Sequence, residues 1–481
     1  MKDKIARIIA EAKTIKAEPQ LPRRRQIFVN RNLHMGHVDW IGFDLDYTLA
    51  CYNKTAIEEA AYEITQHKLV EERGYPAEVR DLEYDPQFMI RGLVIDTERG
   101  NVLKLDRYAY VKLAFHGKKQ LSRSERKRAY STQKIDYASA HALDTLFSIP
   151  EACLFAQIVD LADSKPLNYP PVYHEIHLDI RAMIDKAHRD DTLKKRIRSD
   201  LERFFDVDPD LAPMLERMRS QGKKLFLLTN SYWDYTDRVL SHLLDSRLLH
   251  HKRWLELFDC IVVGSRKPDF HTSNAPFLEV DTNTGMLRNT DRDKLELGRV
   301  YQGGNAELLE KVLGASGERV VYFGDHIYGD ILRSKKSLGW RTGLVIEELE
   351  GEIEVLEANK VRWADMDAVD EARRKIETAR DSGRDIGDEP GEIDKKIEIL
   401  QRHAGRLFRD AQSAFNPYWG ELFRAGKEVS LFGHQVEGYA CLYTSRVSNF
   451  LYYPLDKYFR CLRGSTPHDP IVDGETVASE E

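Results

Sequence analysis

The chain is predicted to be an α/β protein: a parallel sheet covered by helices, an α+β cap domain inserted into it, and a helical C-terminal extension. Three observations predict this. Short, mostly apolar stretches recur at Val38–Phe43, Lys224–Leu228, Cys260–Val263, Val320–Phe323 and Thr342–Ile346, each running into a polar loop. Buried parallel strands read this way. Helical patterns at Leu211–Ser220, Tyr235–Leu244 and Glu307–Leu313 separate the later stretches, and strands alternating with helices build a sheet covered on both faces. Finally, roughly 180 residues (44–223) lie between the first strand and the second, far more than one crossover uses.

In chain order, residues 1–26 read as a helix ending in the basic run Arg23-Arg24-Arg25. The core is expected over 27–60 and 205–365, with the cap over 61–204. Within the cap, Leu93–His116 alternates around the turns ERGN and DRYA and reads as a β-meander, while 135–163 and 175–204 read as helical. Residues 366–463 form the expected helical extension. It has a charged helix around 366–381, a polar break at Asp381–Pro390 and an amphipathic helix from about 391 to 414. It ends in an aromatic segment (Phe432, Tyr439, Tyr443, Phe450, Tyr452, Tyr453, Tyr458, Phe459), expected to pack on the core or on a second subunit. Residues 464–481 are polar and expected to be disordered.

Composition narrows the function classes. Of 481 residues, 42% are hydrophobic and 31% charged, and 72 basic against 79 acidic side chains leave a net charge of −7. A general nucleic-acid binder carries a basic excess instead. There is no apolar run long enough for a membrane helix and no secretory signal pattern at the N-terminus. The five cysteines, Cys51, Cys153, Cys260, Cys441 and Cys461, are scattered and form no C-x-x-C pair. That argues against a disulfide scaffold or a structural zinc site and fits a reducing compartment. A cytoplasmic protein is expected by elimination.

The chemistry is concentrated at strand ends. Asp44-Leu45-Asp46-Tyr47-Thr48 follows the first strand directly. Two carboxylates at the carboxyl end of a buried parallel strand sit where open α/β sheets place ligands. Burying both is costly unless a divalent cation joins them, and hard oxygen ligands favour Mg²⁺. A second acidic pair, Asp325 and Asp330, follows a later strand in Gly324-Asp325-His326-Ile327-Tyr328-Gly329-Asp330. Between the pairs, Thr229-Asn230-Ser231 and Ser265-Arg266-Lys267-Pro268 end two further strands. Singly, each has a bland reading: D-x-D as a turn, T-N-S as a helix cap, R-K-P as a solvated loop. Together and in this order they fit phosphoryl transfer. One carboxylate attacks phosphorus, another handles protons, Thr and Lys hold the phosphate oxygens, and Mg²⁺ offsets the charge.

These four motifs resemble those of the haloacid-dehalogenase-like (HAD) superfamily. The stretches Ile41–Ala50 and Gly324–Leu332 are similar, more narrowly, to the cytosolic purine 5'-nucleotidase family. The likeness continues through Phe28–Arg31, Arg91–Val94, Gly339–Thr342 and Leu451–Pro454. It implies a HAD-like Rossmannoid core and Mg²⁺-dependent hydrolysis of IMP, GMP and their deoxy forms through an aspartyl-phosphate. Transfer of the phosphoryl group to another nucleoside is a further implied activity. By resemblance, Asp44 is the nucleophile and Asp46 the acid and base. Mg²⁺ lies on Asp44, the backbone carbonyl of Asp46 and Asp325, with Asp330 close by. Thr229, Asn230, Ser231 and Lys267 hold phosphate. In the cap, Arg181, Asp185 and His188 share one face of a predicted helix, Lys194 follows, and Phe147 matches a position that packs on the base. Without the resemblance, the helix face would read as a solvated ion-pair face and Phe147 as core. Arg181 could donate to a 6-oxo group and Asp185 accept from N1–H, a pattern adenine lacks.

The family's effector site is altered. Tyr328 replaces a Phe, Lys134 an Arg, Asp144 an Asn and Gly438 a further Arg, while Lys336 and Gln435 are kept. Fewer cationic donors and an added anion predict weak polyphosphate binding and doubtful activation by ATP. The family also implies a homodimer or homotetramer. Two readings compete with this one: a HAD phosphatase of another small ester, and a non-catalytic interaction module on the same fold. Three other patterns carry less weight. His174-x-x-His177 with Asp179 has zinc-like spacing, Asp206-x-Asp208-x-Asp210 reads as a turn into a helix, and Arg123–Arg128 as a solvated basic run.

Overall fold

In the computed structural model, the described residues are 21–130, 140–164, 172–291, 295–384 and 390–462, with positions 4, 5, 7, 8 and 135. The expected N-terminal helix falls mostly outside them, as do 463–481. Arg23–Arg25 forms a single 3₁₀ turn.

The five apolar stretches are all strands, at Trp40–Phe43, Lys224–Leu228, Cys260–Val263, Val320–Gly324 and Arg341–Val345. They lie in one ten-stranded sheet whose parallel part runs Leu442–Thr444, Arg341–Val345, Val320–Gly324, Trp40–Phe43, Lys224–Leu228, Cys260–Val263, Val300–Gly303. This is the expected α/β core with a parallel sheet. The edges are antiparallel: Phe28–Val29 on one side, and on the other a hairpin of Phe277–Val280 and Leu287–Asn289. The hairpin turn is the Asp281–Gly285 segment, where Asp281 Oδ1 accepts from the amides of Asn283 and Thr284.

The strand Trp40–Phe43 is central, paired with Lys224–Leu228 on one side and Val320–Gly324 on the other. Its residues are buried on both faces. Gly42 is required there, because a Cβ would sit 2.1 Å from the Phe226 ring. That order brings Asp44, Thr229 and Asp325 to adjacent strand ends.

The long insert builds a five-stranded antiparallel sheet in the order Lys119–Gln120, Val111–His116, Asn101–Leu105, Val94–Asp96, Ala140–Ala142. Helices Lys54–Arg73, Ile149–Ser164 and Tyr173–Arg189 pack together beside it. The β-meander expected over Leu93–His116 is present. The expectation of helix throughout 135–163 is corrected: Ala140–Ala142 is a sheet strand, and the helix begins only at Ile149. The Thr145 hydroxyl accepts from the Phe147 amide, and Pro150 suits a first helical turn because it has no N–H to leave unpaired.

Beyond the core, helices Lys360–Asp381 and Pro390–Gln412 pack on one another. The aromatic C-terminal segment packs on the core of its own chain. Tyr443 stacks on Phe28 at 5.1 Å and Phe450 meets Phe323 at 5.1 Å. Two buried charges tie this extension in place. Lys104 donates to the carbonyls of Trp419 and Glu421, and Glu352 accepts from the amides of Leu422 and Phe423. None of the described helices is long and apolar enough to cross a membrane.

Candidate active site

Lys267 is the hub of the strand-end cluster. Its ammonium lies 3.0 Å from Asp44 Oδ2 and 2.7 Å from Asp330 Oδ1. It also donates to the Leu228 carbonyl at 3.0 Å and to the Tyr322 hydroxyl at 2.8 Å. The loop that carries it is clamped by Asn230. The Asn230 side-chain Oδ1 accepts from the Lys267 backbone amide and the Ser265 hydroxyl, and its Nδ2 donates to the Lys267 backbone carbonyl. Arg266, with φ of 61°, lies in the left-handed region, a backbone state that needs such support in a non-glycine residue.

Asp44, Asp325 and Asp330 offer carboxylate oxygens within 4.8 Å of one another. One lysine cannot balance three buried carboxylates. Burial, with Asp330 and Asp46 adding to it against the pull of Lys267, pushes the Asp44 carboxyl up to about 7. Burial and Asp330 push Asp325 well above the carboxylate range. Asp325 Oδ2 is buried without a hydrogen-bond partner. An unpaired buried carboxylate oxygen beside two more carboxylates fits a hard divalent cation. The Asp46 carboxylate is not part of this trio. It accepts from the Tyr52 hydroxyl at 2.6 Å and the Ser231 hydroxyl at 2.8 Å.

The turn that follows Asp46 is tight: Tyr47 has φ of 52°. Its buried ring, 4.8 Å from both Tyr52 and Phe147, holds that turn. Thr229 is fully buried, and its hydroxyl accepts from the Ser231 amide at 3.1 Å.

From Asp46, Asn230 and Ser231 a cavity of about 420 Å³ opens toward the cap. Phe147, Arg181, Asp185, His188 and Lys194 all line it. The spacing of the helix Tyr173–Arg189 explains this. Ile176, Ile180 and Met183 face the core, while Arg181, Ile184, Asp185 and His188 line the cavity. Arg181 donates to Glu151 Oε2 at 3.0 Å and lies 3.4 Å from Asp185. Lys194 reaches Ser231 Oγ at 3.5 Å and lies over the Tyr235 ring at 5.0 Å. Burial, reinforced by Lys194, lowers the His188 pKa to about 4, so the ring is neutral at physiological pH.

Five side chains that sequence reading passed over belong to this site. Tyr52, Tyr235 and Tyr322 carry the hydroxyls around the carboxylates, with Tyr52 and Tyr235 bonded at 2.6 Å. Arg91, a fully buried arginine from the insert, donates to the Asp325 carbonyl at 3.0 Å. The Glu348 carboxylate accepts from its Nε and Nη2 along one edge, at 3.0 and 2.6 Å. Glu151 anchors Arg181.

The expected effector residues are only partly brought together. Gln435 donates to the Tyr328 hydroxyl at 2.6 Å, Asp144 pairs with His326 at 3.1 Å, and Lys336 is exposed. Lys134 lies outside the described residues. The zinc-like spacing of His174, His177 and Asp179 makes no joint site: His174 meets Thr97, Asp179 meets Tyr75 and Arg73, and His177 faces Glu151. Asp206–Asp210 leads into the helix Leu211–Ser220, and Arg123–Arg128 lies on a helix with no buried residue.

Among known proteins, the family model described as "5' nucleotidase family" matches residues 27–471. A "5'-nucleotidase domain-containing protein" of Dictyostelium discoideum is 30% identical over 92% of this chain and 75% of its own length. Solved structures give weaker likenesses. An archaeal beta-phosphoglucomutase from Pyrococcus sp. strain ST 04 has a TM-score of 0.29 and 10% identity, over 64% of this chain and 86% of that one. A predicted phosphoglycolate phosphatase from Haemophilus somnus has a TM-score of 0.26 and 10% identity, over 64% and 85%. Likenesses of that degree carry no argument about activity. The family match, by contrast, runs from the edge strand of the sheet past its last strand, and by it the chain belongs to the 5' nucleotidase family and is a phosphoric monoester hydrolase.

Proposed function

We propose that the protein is a Mg²⁺-dependent 5'-nucleotidase that hydrolyses 6-oxopurine nucleoside monophosphates, IMP and GMP with their deoxy forms, through a phosphate ester on Asp44. One observation carries the reading. A single cavity is lined both by Asp46 and Ser231 and by the Arg181–Asp185 pair, and the Asp44–Lys267 pair lies at the strand ends that carry Asp46 and Ser231.

Asp44 attacks phosphorus, and Lys267 offsets the charge that gathers on the phosphoryl oxygens. Asp44, Asp325, Asp330 and the backbone carbonyl of Asp46 would hold Mg²⁺, which supplies further charge neutralisation there. Asp46, oriented by Tyr52 and Ser231, gives a proton to the leaving 5'-oxygen and then takes one from the incoming water. A nucleoside hydroxyl in place of water would give phosphotransfer. Losing the hydroxyl that orients Asp46 should slow the chemistry without loosening substrate. Tyr52→Phe is expected to lower kcat about tenfold with KM nearly unchanged. A steady-state comparison in which KM alone moves would contradict that role.

Arg181 faces the 6-oxo edge of the base and Asp185 its N1–H. Neutral His188 and Phe147, 5.4 Å apart edge to face, pack against the ring. Adenine offers neither the 6-oxo acceptor nor the N1–H donor, so both groups lose the hydrogen bond that a 6-oxopurine supplies. Asp185→Asn can donate where the carboxylate only accepts. It is expected to cut the kcat/KM ratio of GMP over AMP by about tenfold or more. The direct test is phosphate release from IMP, GMP, AMP, CMP, UMP and p-nitrophenyl phosphate with Mg²⁺. Fastest release from IMP or GMP is expected; equal release from all six would remove the purine assignment and leave a general phosphatase.

A further inference from the structure

Behind the Arg181 end of the cavity, the cap holds a second cluster of ligand atoms that the phosphoryl chemistry does not use. His141 comes from the strand Ala140–Ala142, Glu151 from the first turn of the helix Ile149–Ser164, and His177 from the helix Tyr173–Arg189. Each offers one ligand atom, and the three atoms lie within 4.8 Å of one another. His141 Nε2, Glu151 Oε1 and His177 Nε2 are all buried, and none has a hydrogen-bond partner. His177 Nε2 and Glu151 Oε1 face each other at 3.3 Å, with the side chains 8% and 1% exposed. The two imidazole rings are 4.9 Å apart.

We propose that His141, Glu151 and His177 form a transition-metal site in the cap, taking a divalent cation of the zinc type on two imidazole nitrogens and one carboxylate oxygen. The rival occupant is a proton. A proton on His177 would satisfy the facing Glu151 oxygen, but it would leave His141 Nε2 without a partner. Burial lowers the His141 pKa, so that ring is neutral and offers a lone pair. One cation satisfies all three atoms at once. Left without a partner, each buried atom carries an uncompensated desolvation cost.

The donor set selects the metal. Two nitrogens and one oxygen suit zinc or a neighbouring transition metal, whereas Mg²⁺ prefers oxygen. Three protein ligands leave a fourth position for water. The remaining Glu151 oxygen is already held by Arg181, as ligating carboxylates commonly are by outer partners. All three ligands come from regular secondary structure, which favours fixed geometry. Sequence spacing pointed to His174 and His177; folding pairs His177 with His141 and Glu151 instead. A cation here would fix the carboxylate to which Arg181 is bonded. That consequence rests on the nucleotide reading, but the site itself does not.

The test is metal retention by the full chain. Protein stripped of metal is given ZnCl₂ in excess MgCl₂, passed through a desalting column and assayed for zinc by mass spectrometry. A parallel sample is loaded with Co²⁺ for visible absorption. One Zn²⁺ per chain is expected in wild type and in Asp44→Asn alike, and it should be lost in His177→Phe and His141→Gln. Co²⁺ should give the intense visible bands of a low-coordinate nitrogen-ligated ion. Circular dichroism checks that the variants fold; should His177→Phe fail, His141→Gln at its half-buried strand position carries the test. No zinc in wild type would overturn the proposal. So would zinc that survives in a folded histidine variant, or that departs with Asp44→Asn, which would place it on the phosphoryl-site carboxylates.

Discussion

Asp44→Asn is expected to reduce phosphate release by about 10⁴-fold or more while leaving the protein folded, because in the proposed mechanism the substitution removes the atom that bonds to phosphorus. Its effect on stability should run the other way. The folded-state pKa of Asp44 is raised to about 7 from 3.8. A carboxyl raised in this way stabilises the fold only while protonated, and that contribution is lost as pH rises through about 7. Without divalent cations at pH 8, wild type therefore carries the cost of a buried charge beside Asp330 and Asp46, and Asn does not. A melting temperature for Asp44→Asn at or above that of wild type in EDTA at pH 8 is expected. A large drop would mean that Asp44 is chiefly a structural partner of Lys267.

Lys267→Met should have the second largest effect, and on both properties. The Lys267 side chain is 3% exposed, and its ammonium bridges Asp44 and Asp330. Removing one member of a buried ion cluster typically costs about 3–5 kcal/mol, because the remaining charges are left uncompensated. Activity should fall together with stability, since the same charge is asked to hold the phosphoryl oxygens. The loss of stability should depend on pH. Without Lys267 the carboxylates are relieved only by protons, so the gap to wild type should be widest at pH 8 and narrow toward pH 6. Urea denaturation at both pH values checks this; a gap that does not change with pH would assign the loss to packing around the lysine stem.

The fold was legible where burial is two-sided and the pattern therefore unbroken. Trp40–Phe43, Lys224–Leu228 and Val320–Gly324 are strands with almost wholly buried residues, and an apolar run closed by Asp or Thr marks such a strand without knowledge of its neighbours. The same property made the strand-end carboxylates legible, since ligand chemistry in a parallel sheet collects at carboxyl ends. The strand Ala140–Ala142 was not legible, because all three of its residues are only half-buried and its place is set by pairing with Val94–Asp96.

Side chains with two roles were also missed. Tyr52, Tyr235 and Tyr322 are core residues by ring and hydrogen-bonding residues by hydroxyl, and sequence shows only the first. Arg91 and Glu151 are charged residues that read as surface. Their burial is stabilised by partners far along the chain, Glu348 for Arg91 and Arg181 for Glu151. The helix face of Arg181, Asp185 and His188 was legible as a face, but its direction came only with the fold.

The central claim is that phosphorus is bonded to Asp44 during turnover. The measurement that tests it most directly is an acid quench of enzyme mixed with excess IMP and Mg²⁺, followed by mass spectrometry of the peptide that contains Asp44. A phosphorylated peptide is predicted that appears before steady state, is modified at Asp44, and is absent from Asp44→Asn. Phosphate release that proceeds with no modification of that peptide at any time would contradict the account.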